Sequence, residues 1–350
     1  MKELLIDTQA PYRVLIGAGL LGQLGGLLTD LAPKPRTVLV VTDTNVGPLY
    51  AERALAALGG FRTAVHTVPA GEAYKTPETL MGILHAMARE GLTRSDLVLT
   101  LGGGVVGDMA GFAAAVYQRG MRFVQCPTTL LSAVDASVGG KTAVDLPEGK
   151  NMIGAFHQPS LVVFDPDTLK TLPEERISDG AAEMVKHAVI ADSALFERLR
   201  TPGWRVDIAS LVARNVEIKR SFVVGDERDR RQRQLLNFGH TIGHAVEAWS
   251  GFTLSHGQAV AIGMVMETRA ARRLGLTDQD EAPIAEALAA NGLPTMTDAL
   301  AGEILRFALH DKKRQGAGVT VAVPVRIGEA RLQELDVPAF ERYIAAGGAA

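Results

Sequence analysis

Short runs of Val, Leu and Ile recur along the first half of the chain, each closed by Gly, Pro or Asp. Arg13–Ile16, Thr37–Thr42, Thr63–Val68, Asp96–Leu101, Arg122–Gln125 and Ser160–Phe164 read as strands. Between several of them lie longer stretches with apolar positions at helical spacing, such as Leu49–Leu58 and Pro77–Glu90. That alternation predicts a largely parallel sheet with helices on its faces, a Rossmann-like α/β layout. Beyond about residue 175 the strand pattern fades. Helical periods take over at Ile177–Leu199, Asp207–Val224, Asn237–Trp249 and Gln258–Leu274, with a short strand pair at Val319–Val323 and Ala330–Glu334. The pattern predicts an α/β domain over 1–175, a mainly α-helical domain over 176–350, and a frayed end at Ala345–Ala350.

Composition narrows the class. The formal net charge of -3 gives no general attraction to nucleic acid or to an anionic membrane. The single cysteine, Cys126, excludes an intramolecular disulfide and a multi-thiolate metal site. Its place at a strand end predicts an inert, buried thiol. The chain's start lacks the pattern of a cleavable secretion signal, and the most apolar region, 97–117, is interrupted by Asp108 and several glycines. A cytoplasmic enzyme is the expectation.

Two glycine-rich turns compete for a phosphate. Leu97–Leu101 is followed by Gly102-Gly103-Gly104-Val105-Val106-Gly107-Asp108, which opens a helix. Strand, glycine turn and helix start form an anion-binding geometry, because glycine admits close backbone approach and the first helical N–H groups point at the ligand. Gly17-Ala18-Gly19-Leu20-Leu21-Gly22 matches G-x-G-x-x-G literally, with Asp43 at the end of the next strand. Asp43 suits a ribose hydroxyl in either arrangement. Each turn also has a purely structural reading, as a tight connection with no ligand. Gly139-Gly140-Lys141-Thr142 resembles the end of a P-loop but lacks the upstream glycine, which argues against nucleoside triphosphate hydrolysis. Lys141 and the pair Lys150-Asn151 read as residues of glycine-rich turns. Arg228–Arg233 is a charge run without interleaved aromatics, hence a solvated face and not a nucleic-acid groove.

Glu183 and Lys186 share a helix face at i and i+3, which by itself describes a surface ion pair. His240, His244 and His256 cluster further on. His240 and His244 lie one helical turn apart, but Thr241 stands where a zinc-protease helix needs Glu. Three neutral imidazole or carboxylate ligands with one open position is the usual form of a catalytic zinc site. Spacing alone leaves open which histidines bind and which transfers protons.

Taken together, Gly71–Lys75, Gly102–Asp108, Tyr117–Gly120, Pro127–Leu131, Val134–Ala143, Gly149–Phe156, Glu183–Lys186, Leu236–Thr241, His256-Gly257 and Asp311–Lys313 resemble the 3-dehydroquinate synthases, in family order over almost the whole chain. The resemblance implies an NAD-dependent, zinc- or cobalt-dependent lyase of the shikimate pathway, acting as a cytoplasmic homodimer. It would convert 3-deoxy-D-arabino-heptulosonate 7-phosphate to 3-dehydroquinate and phosphate. Transient oxidation at C5, phosphate elimination, re-reduction, ring opening and aldol closure follow one another, with no net consumption of NAD. An α/β nucleotide-binding domain and a helical metal-binding domain are implied.

The family pattern puts the metal ligands on Glu183, His240 and His256, and leaves His244 for proton transfer. For NAD it falls on Asp43, Gly71, Glu72, Lys75, Gly104, Val105, Val106, Gly107, Asp108, Thr128, Thr129, Lys150, Thr168, Leu169, Lys170 and Thr171. For substrate it falls on Asp135, Lys141, Asn151, Lys186, Lys219, Arg233, Asn237 and Lys312, with Arg119 reaching a neighbouring subunit's site. Such a basic set suits a substrate carrying a carboxylate and a phosphate. The chain departs from the family at Asp229 and Arg231, where Glu and Gly are usual, and at Gln258, where Glu is usual. Other sugar-phosphate cyclases, making 2-deoxy-scyllo-inosose or an amino-dehydroquinate, and metal-dependent polyol dehydrogenases are the alternatives.

Overall fold

The computed structural model describes residues 1–201, 203–312 and 318–348, without the side chains of 309–312. The chain forms two compact units, Met1–Leu172 with Val212–Arg220, and Pro173–Leu211 with Ser221–Ala350. The transfer of Val212–Arg220 to the first unit leaves no mark in the periodicity, which reads straight through as one helix.

The first unit runs β1 (Lys2–Ile6), β2 (Tyr12–Ile16), α1 (Leu24–Thr29), β3 (Thr37–Asp43), α2 (Gly47–Ala57), β4 (Arg62–Val68), α3 (Pro77–Arg89), β5 (Leu97–Gly102), α4 (Gly104–Val116), β6 (Arg122–Pro127), β7 (Lys141–Leu146), β8 (Gly149–Phe156) and β9 (Leu161–Phe164). Seven strands form one sheet in the order β1-β2-β9-β6-β5-β3-β4. Every pairing is parallel except that of β1 with β2. The central strands are apolar on both faces because both are covered. Along β3, Val38 and Val40 enter one core cluster while Leu39 and Val41 enter the other. β5 repeats the alternation, with Leu97, Leu99 and Leu101 on one side and Val98 on the opposite side. Cys126 is 0% exposed, and burial pushes its thiol well above the ordinary range.

The expected strands are all present, but two features were hidden. β1 is a mostly exposed edge strand, and β7 with β8 forms a separate antiparallel hairpin. Lys141, Lys150 and Asn151 therefore lie on strands, not on glycine turns. The backbone pairing of Lys141 with Phe156 and of Leu146 with Gly149 frames the hairpin, and Lys150 and Asn151 lie at its register shift, Asn151 in left-handed backbone (φ 56).

The second unit is helical: α5 (Glu174–Ala191), α6 (Ser193–Leu199), α8 (His240–Trp249), α9 (His256–Arg273), α10 (Ala282–Ala290), α11 (Ala301–Lys312) and α12 (Val337–Gly347), plus the hairpin β10 (Val319–Arg326) and β11 (Glu329–Leu335). α7 (Ile208–Val223) carries the segment that groups with the first unit. The expected helix over Ile177–Leu199 is two helices. Asp192 takes an extended conformation (φ -155, ψ 95) and its carboxylate caps α6 at Leu195 N, 3.0 Å away. α12 continues through Gly347, so the helix runs further than its small residues suggest, while Ala349 and Ala350 of the expected frayed end lie outside the described residues. Among the described residues no helix is long and apolar enough to cross a membrane.

Candidate dinucleotide edge and metal centre

Because β2, β3, β4, β5, β6 and β9 run parallel, the loops after them leave the same edge of the sheet. Ligands of open α/β sheets bind at this carboxyl edge. Asp43, Gly71–Lys75, Gly102–Asp108, Thr128, Thr129 and Thr168–Thr171 all follow such strand ends. α4 starts at Gly104 with no side chain capping it, so its first-turn N–H groups present an uncapped helix start. A Cβ at Gly102 would meet Val106 at 2.7 Å, and one at Gly107 would meet Gln125 Oε1 at 2.7 Å. Those glycines serve packing as well as any ligand. Asp43 Oδ1 accepts from Asn45 N and Val46 N, both at 2.8 Å, fixing the turn into α2. Thr128 N donates to Gly102 O at 3.0 Å. Tyr50 of α2 holds the segment Thr168, Leu169, Lys170, Thr171 through Thr168 O and Thr171 Oγ1.

The literal fingerprint at Gly17–Gly22 is already filled. Asp165, 0% exposed, accepts from Gly19 N at 3.0 Å and Leu21 N at 3.1 Å. The chain's own carboxylate occupies the position that an anion would take there, and this is why the better sequence match is the structural turn.

Lys75 is 4% exposed and reaches Asp108 Oδ2 and Asn151 Oδ1, each at 2.6 Å. Burial alone would pull the ammonium's pKa down. Asp108, with Glu72 and Asp145 nearby, outweighs burial and holds it above its ordinary value. Lys150 pairs with Glu72 at 3.3 Å. Lys219 Nζ binds Asp135 Oδ1 at 2.9 Å and Asp135 O at 2.6 Å. Lys141 is exposed at the head of β7, and Arg119 is exposed in left-handed backbone (φ 66).

In the second unit α5 buries Glu183 and Lys186, each 1% exposed and paired with one another. This overturns the surface-pair reading. Glu183 Oε1 lies 3.5 Å from His240 Nε2 and 3.3 Å from His256 Nε2. Ligand atoms at about 2.0–2.1 Å from one tetrahedral zinc are separated by roughly 3.3 Å, so this set fits a shared divalent ion. His240 Nδ1 faces Phe238 O at 3.1 Å. A carbonyl only accepts, so Nδ1 carries the proton and Nε2 keeps its lone pair. Burial, then the Lys186 charge, holds His240 well below its ordinary pKa, which keeps the ring neutral. His256 is pushed up to about 10: burial opposes its charge, and the Glu183 and Glu247 carboxylates outweigh burial. His244 is exposed on α8, its ring centroid 5.2 Å from that of His240 and 6.0 Å from that of His256.

Arg233 is 1% exposed, unlike Arg228, Arg230 and Arg231 of the same run, and donates to Glu227 O at 2.6 Å. The charge run is therefore solvated only in part. Asp226 organises the loop by accepting from the N–H groups of Arg230, Arg231 and Arg233. Asn237 is exposed at the end of a short 3-10 turn. Lys312 ends α11, and its side chain lies outside the described residues. Gln258 closes a capping box with Ser255, which explains its tolerance at a position where Glu is usual. The sequence reading missed Glu247, 4% exposed with Oε2 3.9 Å from His256 Nδ1. Its signal was its place seven residues after His240 on α8, on the same helix face.

A parallel sheet with a phosphate-type edge, joined in sequence to a helical unit with a Glu-His-His set, is the architecture of the sugar-phosphate cyclases. The structure of 2-epi-5-epi-valiolone synthase from Streptomyces hygroscopicus subsp. jinggangensis 5008, with NAD+ and Zn2+ bound, matches at a TM-score of 0.84 and 30% identity, covering 96% of this chain and 95% of that one. A 2-deoxy-scyllo-inosose synthase shares the fold, with a TM-score of 0.88, 23% identity and coverage of 98% and 99%. The family models for the 3-dehydroquinate synthase N-terminal and C-terminal regions match residues 65–179 and 180–314. The 3-dehydroquinate synthase of Symbiobacterium thermophilum is 46% identical over 330 residues, 91% of this chain and 92% of the relative. The chain belongs to the 3-dehydroquinate synthase family.

Proposed function

We propose that the protein converts 3-deoxy-D-arabino-heptulosonate 7-phosphate to 3-dehydroquinate and phosphate, with NAD and one Zn2+ or Co2+ as resident cofactors. The observation that carries this is the buried Glu183 carboxylate within 3.5 Å of both His240 Nε2 and His256 Nε2, in a chain of this family. When bound, NAD supplies a reversible hydride acceptor and the divalent ion supplies Lewis acidity toward the substrate's hydroxyls. Glu183, His240 and His256 would hold the ion, and the α4 start with Asp43, Lys75 and Asp108 would hold the dinucleotide. Lys75 keeps its charge through Asp108, so it can balance an anionic cofactor while orienting Asn151.

Lys141, Lys186, Lys219 and Arg233 supply fixed positive charge for the substrate's carboxylate and phosphate, with Asn151 and Asn237 as neutral donors. Asp135 orients Lys219 through two contacts. His244 is exposed and belongs to the same helix as His240, which suits it to carry protons to and from substrate oxygens. We assign Lys312 to the substrate and Arg119 to the second subunit of a homodimer, and place the enzyme in the cytoplasm.

The deciding assay supplies the heptulosonate phosphate, NAD and zinc, and follows phosphate and NADH together. Phosphate release without net NADH is expected. Steady NADH accumulation points to a polyol dehydrogenase, and formation of 2-deoxy-scyllo-inosose or an amino-dehydroquinate from the matching sugar phosphate points to a sibling cyclase.

A further inference from the structure

The helix that carries His240 is capped by a residue of another helix. Gly239, just before His240, sits in left-handed backbone (φ 78) and offers α8 no side-chain cap. No larger residue fits there. A Cβ at Gly239 would collide with Met264 Cγ and lie 2.9 Å from Val260 O, and one at Gly263 would collide with Gly239 O. The start of α8 thus rests directly on the backbone of α9, and that contact forbids the Ser, Thr or Asp that usually caps a helix.

Glu267 of α9 supplies the missing acceptors. It is 0% exposed, with Oε2 2.9 Å from Gly239 N and Oε1 2.9 Å from Ile242 N. The two oxygens bracket His240 in sequence. The turn of α9 that bears Glu267 is itself pinned, because Tyr343 Oη donates to Glu267 O at 2.9 Å. Burying a carboxylate is costly, and a helix start is one of the few partners that compensates it.

We propose that Glu267 is a positioning residue of the metal centre. By capping α8 on both sides of His240, it fixes the direction in which His240 presents Nε2 toward Glu183 Oε1 and His256. The inference rests on the reading of Glu183, His240 and His256 as ligands.

The test compares wild-type protein, Glu267→Gln, Glu267→Asp and Asn291→Ala. Asn291 is a control for stability alone: it is 5% exposed and bonds Trp204 Nε1, Leu199 O and Ala287 O, none of them in α8 or α9. Zinc affinity is measured by chelator competition, the visible spectrum by Co2+ titration of metal-free protein, and NAD affinity separately. Glu267→Gln is expected to weaken zinc binding roughly 10- to 100-fold and shift the Co2+ bands, with NAD affinity unchanged. Glu267→Asp keeps the charge one methylene short and should fall between Gln and wild type, which keeps the idea testable if the Gln variant folds poorly. Asn291→Ala should lose thermal stability without either metal effect. Wild-type zinc affinity and an unshifted spectrum in Glu267→Gln overturn the inference and leave the ligand assignment standing. An equal zinc loss in Asn291→Ala overturns it too, as general destabilisation. Failure of the wild-type protein to bind zinc overturns the ligand assignment along with it.

Discussion

Removing Asp165 should destabilise the fold without opening a dinucleotide site at Gly17–Gly22. Its carboxylate accepts from Gly19 N at 3.0 Å, Leu21 N at 3.1 Å and Asp167 N at 3.1 Å, with Arg53 Nη2 at 3.3 Å. A hydrogen bond to a charged group is worth about 1.5–3 kcal/mol, and a buried donor left unpaired costs about 1–3 kcal/mol. Gly19 and Asp167 are half-buried, so water recovers most of their loss after Asp165→Ala, whereas Leu21 is 1% exposed and recovers none. The Arg53 side chain is 42% exposed, so its pair adds less than about 1 kcal/mol. The sum is about 3 kcal/mol, more than a hundredfold in the folding equilibrium. Asp165→Asn keeps one acceptor oxygen and should cost about half as much. Urea unfolding followed by circular dichroism gives the loss as a shift in midpoint at constant slope. NAD titration of the folded variants gives the second reading, and affinity should not rise. A gain in NAD affinity of about tenfold or more would refute the assignment of Gly17–Gly22 as a structural turn, whereas a loss would report on the segment Pro166–Thr171 that Asp165 caps. A stability loss below about 1 kcal/mol would refute the account of what fills the Gly17–Gly22 turn.

His256→Ala should lower zinc content and activity together, whereas His244→Ala should lower activity and keep zinc; metal analysis beside the phosphate-release assay checks both, and zinc loss in the second variant reverses the assignment. Gly263→Ala drives a methyl into Gly239 O and should cost about 3 kcal/mol by forcing α8 from α9, read as a drop in thermal midpoint; a neutral result contradicts that contact. Asp96 is 2% exposed, and although burial alone would raise its pKa, hydrogen bonds from Thr93 and Thr37 outweigh burial and hold it below the ordinary carboxylate value. Its contribution is therefore complete above about pH 4 and lost as the pH falls through its lower folded value. Asp96→Asn should unfold more readily at neutral pH and lose less further stability on acidification than wild type, as measured by thermal midpoints from pH 7 to pH 3.

The α/β order, the positions of most strands and the helical character of the second half were legible in the sequence, because apolar periodicity is imposed by burial on one face or two. Elements without that signature escaped. β1 is largely exposed, β8 is exposed over most of its length, and α5 and α6 are parted by one capping aspartate inside an unbroken apolar period. The glycine turn at Gly102–Asp108 and the histidine cluster were visible as candidates. Residue spacing could not rank them, since a local pattern does not report what lies opposite it in space.

The sequence by itself determined the fold class, the family through its ordered motifs, and a short set of residues for a cofactor and a metal. Tertiary structure alone decided that Asp165 fills the more literal fingerprint, that Glu183 and Lys186 form a buried pair, and that Glu183 draws His240 and His256 to one point. It also brought Glu267 to the start of α8. These are contacts between residues far apart in the chain, and their energies depend on burial and on distances of about 3 Å, which no run of consecutive residues encodes.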